Sequence, residues 1–93
     1  MKIKDLKNLG EKLLYRSKQD RGINYITPVW DYKEVDGKAH LIEVEDGQSV
    51  SVGDIVNVLE LLKEFDENMV LVWESDGKEI QEHREDKFVT ILS

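Results

Sequence analysis

Apolar residues recur along this chain with two different periods, and the switches between them mark six predicted elements. Over residues 3–17, Ile3, Leu6, Leu9, Gly10, Leu13 and Leu14 fall on one side at helical spacing. Lys4, Lys7, Glu11, Lys12 and Arg16 fall outside that stripe, which predicts an amphipathic helix. Asp20-Arg21-Gly22 ends it, with Gly22 as the C-terminal turn residue. From residue 23 to 33 the period shortens to two. Tyr25, Thr27 and Val29 alternate with Ile26, Trp30 and Tyr32, in a run rich in β-branched and aromatic residues. Pro28 cannot donate to a ladder, so this strand is expected at a sheet edge or at a bulge. Asp36-Gly37 supplies a turn. Residues 39–45 return as a strand that sets His40, Ile42 and Val44 against Leu41, Glu43 and Glu45.

The second half repeats this grammar. Residues 52–65 are apolar on most of a helical circumference, and only Gly53, Asn57, Glu60 and Glu64 form a polar stripe. Such a helix is expected to be largely buried. Residues 69–73 are a continuous apolar run of the length of a central strand. Asp76-Gly77 turns the chain, residues 79–86 are polar and read as an exposed hairpin arm, and residues 87–92 close with a strand. The order is α-β-β-α-β-β. A four-stranded antiparallel sheet with both helices on one face satisfies the layering rule, and the predicted class is α+β.

Short blocks echo one another between the halves. Residues 3–13 lie over 52–62, Val29-Trp30-Asp31 over Val72-Trp73-Glu74, and Asp36-Gly37-Lys38 over Asp76-Gly77-Lys78. The chain therefore reads as one domain, 1–93, with candidate half-repeats at 1–46 and 47–93. The blocks match at different offsets, and amphipathic segments resemble one another through patterning alone.

Composition changes the picture through charge. The chain carries a formal net charge of −7. Residues 1–40 hold nine Lys/Arg against six Asp/Glu, whereas residues 41–93 hold four against fourteen. One part is mildly basic and the other strongly acidic. With no Cys, neither a disulfide nor a thiolate metal site is available, and a cytoplasmic location is the expectation. The first residues lack the apolar core of a signal peptide, and no stretch approaches the roughly 20 apolar residues that span a bilayer.

Candidate chemistry is sparse. His40 shares a strand face with Ile42 and Val44, and His83 lies among Glu82, Glu85 and Asp86 with no second His at ligand spacing. No Gly-x-Ser-x-Gly elbow or Gly-rich phosphate loop is present. The reading is a protein that is not an enzyme and has no cofactor and no metal. The seven Lys/Arg of residues 2–21 fit the solvated face of a helix better than a nucleic-acid contact, because the chain as a whole repels phosphates.

The acidic half carries the functional expectation. Glu60, Glu64, Glu74, Asp76, Glu79, Glu82, Glu85 and Asp86 are expected on neighbouring elements, where spaced carboxylates imitate a phosphate backbone and dock on a basic surface. That describes a small inhibitor or regulator of the kind phages and mobile genetic elements use, with a nucleic-acid-binding protein as one class of partner. Two other readings accompany it. The apolar helix at 52–65 suggests a homodimeric assembly unit, and Trp30, Tyr32 and Trp73 suggest a small-ligand pocket.

Overall fold

A computed structural model describes residues 1–6, 13–45, 47–48 and 64–93 of the chain. A short 3-10 turn, Ile3–Leu6, precedes six strands: β1 (Leu13–Asp20), β2 (Ile23–Val35), β3 (Lys38–Glu43), β4 (Val70–Trp73), β5 (His83–Glu85) and β6 (Val89–Leu92). They form one mixed sheet in the order β4-β3-β2-β1-β6-β5. β1 and β6 run parallel, as do β3 and β4, while the β1–β2, β2–β3 and β5–β6 pairs are antiparallel.

This overturns the expected α+β class. Among the described residues there is no α-helix, and the sheet is six-stranded and mixed rather than four-stranded and antiparallel. Residues 13–17 show the physical reason. Leu13 and Leu14 extend a helical stripe in the sequence, yet they pair with Val89 and Thr90 of β6, in a strand that from Tyr15 onward also pairs with β2. Two ladders of backbone hydrogen bonds outweigh a local helical preference of a few tenths of a kcal/mol per residue. The helix predicted at 52–65 falls almost wholly on residues 49–63, outside the described residues, as does the apolar surface from which self-association was expected.

Turn chemistry made the hairpins. Asp36 and Gly37 take φ of 52° and 76° between β2 and β3, and Arg21 and Gly22 take 51° and 80° between β1 and β2. Two successive residues at positive φ twist in the sense a two-residue hairpin requires. Arg21-Gly22 thus joins two strands instead of ending a helix.

β2 is thirteen residues long because it serves two neighbours. Residues 23–28 pair with β1, and the pairing with β3 begins at Val29. The changeover sits at Pro28, followed by a register shift between Val29 and Asp31. The proline is thus in an interior strand, paired with Tyr15 and just before the irregularity rather than at it, and its carbonyl accepts from Val44 N at 2.9 Å. The bend lets the sheet roll up.

Residues 78–85 close the roll. On one side Trp73 N donates to Lys78 O (2.8 Å) and Ile80 N to Leu71 O (3.0 Å), with a bridge between Val72 and Glu79. On the other side Gln81 N donates to Ser93 O (2.8 Å), and β5 pairs with β6. The polar stretch that reads as an exposed arm is therefore the last stave of a small barrel, bonded to β4 at its start and to β6 over the rest. The start of β4 is also bonded to the N-terminal residues, with Leu71 N on Met1 O and Ile3 N on Met69 O.

Inside lie Leu14, Val29, Ala39, Leu41, Leu71, Trp73, Ile80 and Leu92, joined by Ile3 and Leu6 from the 3-10 turn. Tyr32 packs edge-on against Phe65, with ring centres 5.3 Å apart, beside that core. β1, β3, β4 and β6 all run the same way, so their C-terminal ends gather at one mouth of the barrel. A cluster of charged side chains lies there.

A charged network at the barrel mouth

Three interior-facing positions near the mouth are charged. Along β3, Ala39, Leu41 and Glu43 form the buried face, and Glu43 is only 3% exposed. Along β1, Arg16 and Lys18 follow the buried Leu14 on alternate positions. The loop after β4 brings in Ser75 and Asp76 beside them.

The side chains interlock. Arg16 Nη1 donates to Glu43 Oε1 at 2.6 Å and to Ser75 Oγ at 3.0 Å, while Nη2 donates to Asp76 Oδ2 at 2.7 Å. Ser75 Oγ donates to Glu43 Oε1 at 2.6 Å. Lys18 Nζ lies 3.0 Å from Glu43 Oε2. The guanidinium stacks over the Trp73 ring, 4.6 Å from its centre, so its face meets a π-cloud while its edge meets carboxylates.

Burial disfavours ionisation of Glu43, but the hydrogen bonds from Ser75, Lys18 and Arg16 outweigh it and hold the carboxyl below its ordinary value of 4.5. Asp76 behaves alike. Burial opposes its charge, and Arg16 together with the Lys78 backbone N–H brings it below 3.8. Arg16 shows the converse: burial opposes its charge, yet Asp76 and Glu43 raise its pKa. The network is ionised at neutral pH.

The predicted acidic residues lie in different surroundings. Glu74, Asp76 and Glu79 are each ion-paired, Glu79 with the N-terminal ammonium at 3.4 Å. On the barrel exterior Glu74 meets Lys33 at 2.8 Å and His40 Nδ1 at 2.6 Å, and these contacts lower its pKa, Lys33 most. Asp76 belongs to the mouth. Glu79, Glu82, Glu85 and Asp86 are exposed on the closing stave. Glu64 is exposed at the entry to β4, and Glu60 lies outside the described residues.

The three aromatic residues proposed for a pocket stand in different surroundings. Trp73 is in the barrel interior, 2% exposed. Tyr32 lies against Phe65. Trp30 lines an open depression of about 430 Å³ with Ile42 and Gln48, and its indole N–H has no hydrogen-bond partner among the described residues. Trp30 and Trp73, which correspond in the repeat, are thus placed differently. Among the described residues no three His, Asp or Glu side chains gather as a metal would require.

Sequence reading missed Arg16, Lys18, Glu43 and Ser75. One signal was available: Glu43 alternates with Ala39 and Leu41. The opposite face, His40, Ile42 and Val44, is equally apolar, so alternation did not say which side was inward.

Comparison with known proteins gives no independent guide to function: no protein-family model, no curated protein and no solved structure matches the chain. No described helix is long and apolar enough to cross a membrane.

Proposed function

We propose that the protein is a small protein-binding module that docks its acidic closing stave on a basic surface of a partner, as an inhibitor or regulator. The observation that carries this reading is the placement of Glu79, Glu82, Glu85 and Asp86. Their side chains are exposed along a segment whose backbone is bonded to β4 at its start and to β6 at its end. Carboxylates on such a frame keep fixed spacings, so little ordering entropy is lost when they meet cations. Glu79 also meets the N-terminal ammonium at 3.4 Å, and it remains exposed there, whereas Glu43 is buried at the mouth.

Electrostatic docking of this kind speeds association and weakens as salt rises. The test begins with native capture from the source cell and identification of the retained protein. Binding to that partner is then measured over a salt series, with wild type and a variant carrying Glu79→Gln, Glu82→Gln, Glu85→Gln and Asp86→Asn. The expected loss is at least about tenfold at low salt, about 1.4 kcal/mol. A variant that binds like wild type at low salt overturns the reading.

A further inference from the structure

Among the described residues, the first half of β2 is filled on one edge only. It pairs there with β1, and the pairing with β3 on the opposite edge begins at Val29. We infer that the open edge over residues 23–27 takes a second copy of this chain, the β2 strands adding antiparallel to one another about a two-fold axis at Tyr25. This surface is separate from the acidic stave and does not depend on the function proposed for it.

The first hairpin sets the direction of the backbone groups. Arg21-Gly22 is a two-residue loop, so the flanking Asp20 and Ile23 form a hydrogen-bonded pair, and alternation makes Lys18–Tyr25 and Arg16–Thr27 the next such pairs. Asn24, Ile26 and Pro28 therefore turn their backbone polar groups away from β1. Pro28 obeys this, since its carbonyl accepts from Val44 N on the far side. Proline has no N–H to place there, and the Val44 carbonyl accepts from the Thr27 hydroxyl instead, at 2.8 Å. The outward N–H and C=O of Asn24 and Ile26 have no backbone partner among the described residues, and both residues are exposed. They form a short open template for another strand.

Charge, exposure and length select a second copy as the occupant. Residues 23–30, Ile-Asn-Tyr-Ile-Thr-Pro-Val-Trp, hold no charge in a chain that is 35% charged. Edges that stay unpaired are commonly guarded by charge, and a partner chosen by charge would meet charges here. Ile23 and Ile26 are 68% and 46% exposed, and pairing would cover part of both. Val44 fills the edge beside Pro28, which limits the open stretch to residues 23–27 and puts Tyr25 at its centre. Antiparallel pairing about that centre sets Asn24 of one copy against Ile26 of the other, and the reverse, each pair exchanging its backbone hydrogen bonds. Tyr25 then faces its own counterpart, an aromatic cross-strand pair. Each copy carries −7, so repulsion opposes the dimer at low salt and is screened as salt rises. Docking of the acidic stave has the opposite salt dependence.

Sedimentation equilibrium of the full chain tests the pairing. A reversible dimer is expected at about 0.15 M salt, with a dissociation constant on the order of 0.1–1 mM that tightens as salt is raised. Ile26→Lys puts an ammonium on the open edge and should weaken the dimer at least about tenfold, with the urea midpoint of the monomer nearly unchanged. The chain has no Cys, so single cysteines read the register. Tyr25→Cys should oxidise readily to a disulfide-linked dimer, because a pair that is not hydrogen-bonded brings the side chains at the axis within disulfide reach. Phe88→Cys, exposed away from this edge, should cross-link far more slowly. The inference is overturned if the chain stays monomeric to about 1 mM at every salt concentration, if Ile26→Lys leaves the dimer unaltered, or if Phe88→Cys cross-links as fast as Tyr25→Cys.

Discussion

Arg16 and Glu43 meet across the barrel, Nη1 to Oε1 at 2.6 Å, although their strands are not neighbours in the sheet. β2 lies between them. The contact exists because the sheet rolls at the irregularity between Val29 and Asp31, so the pair reports closure of the barrel as well as local electrostatics. Removing one partner leaves the other charge in a site that water reaches poorly. Arg16→Met should therefore destabilise the fold by about 3 kcal/mol, the lower end for a broken buried pair, because Lys18 still faces Glu43. In a cycle with Glu43→Gln, read by urea denaturation, the two losses should fall short of additivity by about 1 kcal/mol or more. Strict additivity would mean that the pair does not couple β1 to β3.

Stability should fall in acid through this same network. Glu43 and Asp76 have folded pKa values below their ordinary 4.5 and 3.8. In the window between ordinary and lowered values the unfolded chain binds more protons than the folded one, so stability rises with pH there. The contribution is complete above the ordinary values and is lost as pH falls through the folded ones. Urea midpoints measured from about pH 6 down to pH 2 should drop most steeply below about pH 4.5. Glu43→Gln should flatten that drop, and Glu82→Gln, on the exposed stave, should not.

Thr90 offers a gain. Its side chain is fully buried in β6, and its hydroxyl has no hydrogen-bond partner among the described residues. Valine has nearly the same shape without the unsatisfied group. Thr90→Val should stabilise the protein by about 1 kcal/mol, since a buried unpaired polar group costs about 1–3 kcal/mol. Thermal melting decides the sign, and a lower melting temperature would show that the hydroxyl is satisfied.

The first hairpin carries a residue poorly suited to its place. Arg21 has φ of 51°, a left-handed conformation that most L residues adopt at a cost. Asparagine is favoured there, and Asn-Gly is a preferred pair for such a turn. Arg21→Asn should raise stability by about 0.5–1 kcal/mol without altering the mouth. Gly22→Ala should lower it by about 1 kcal/mol, since Gly22 sits at φ of 80°. Melting curves of both variants, moving in opposite directions, would confirm that the turn and not the side-chain charge is responsible.

What the sequence by itself determined was local. The pair Asp36-Gly37 needs positive φ, and that need is written in residue types at two adjacent positions. The second turn is legible for the same reason. Gly77 takes φ of 71°, and the chain reverses there between Trp73 and Lys78. The strand around residues 23–33, the apolar strand ending at Trp73 and the strand after residue 87 follow from β-branched runs and alternation. The acidity of the second half is composition alone. The tertiary structure decided everything that depends on partners far along the chain. Leu13 and Leu14 fit a helical stripe or a strand equally well, and only the ladder to Val89 and Thr90, far along the chain, selected the strand. The stretch 79–86 has one apolar residue, the fully buried Ile80, too few to show a pattern, and the rest of the stave is held by backbone bonds to β4 and β6. Glu43 looked like a surface acid for a related reason. A charge enters a core only where counter-charges and donors converge, and Arg16, Lys18 and Ser75 converge on it because the sheet rolls shut at the irregularity between Val29 and Asp31.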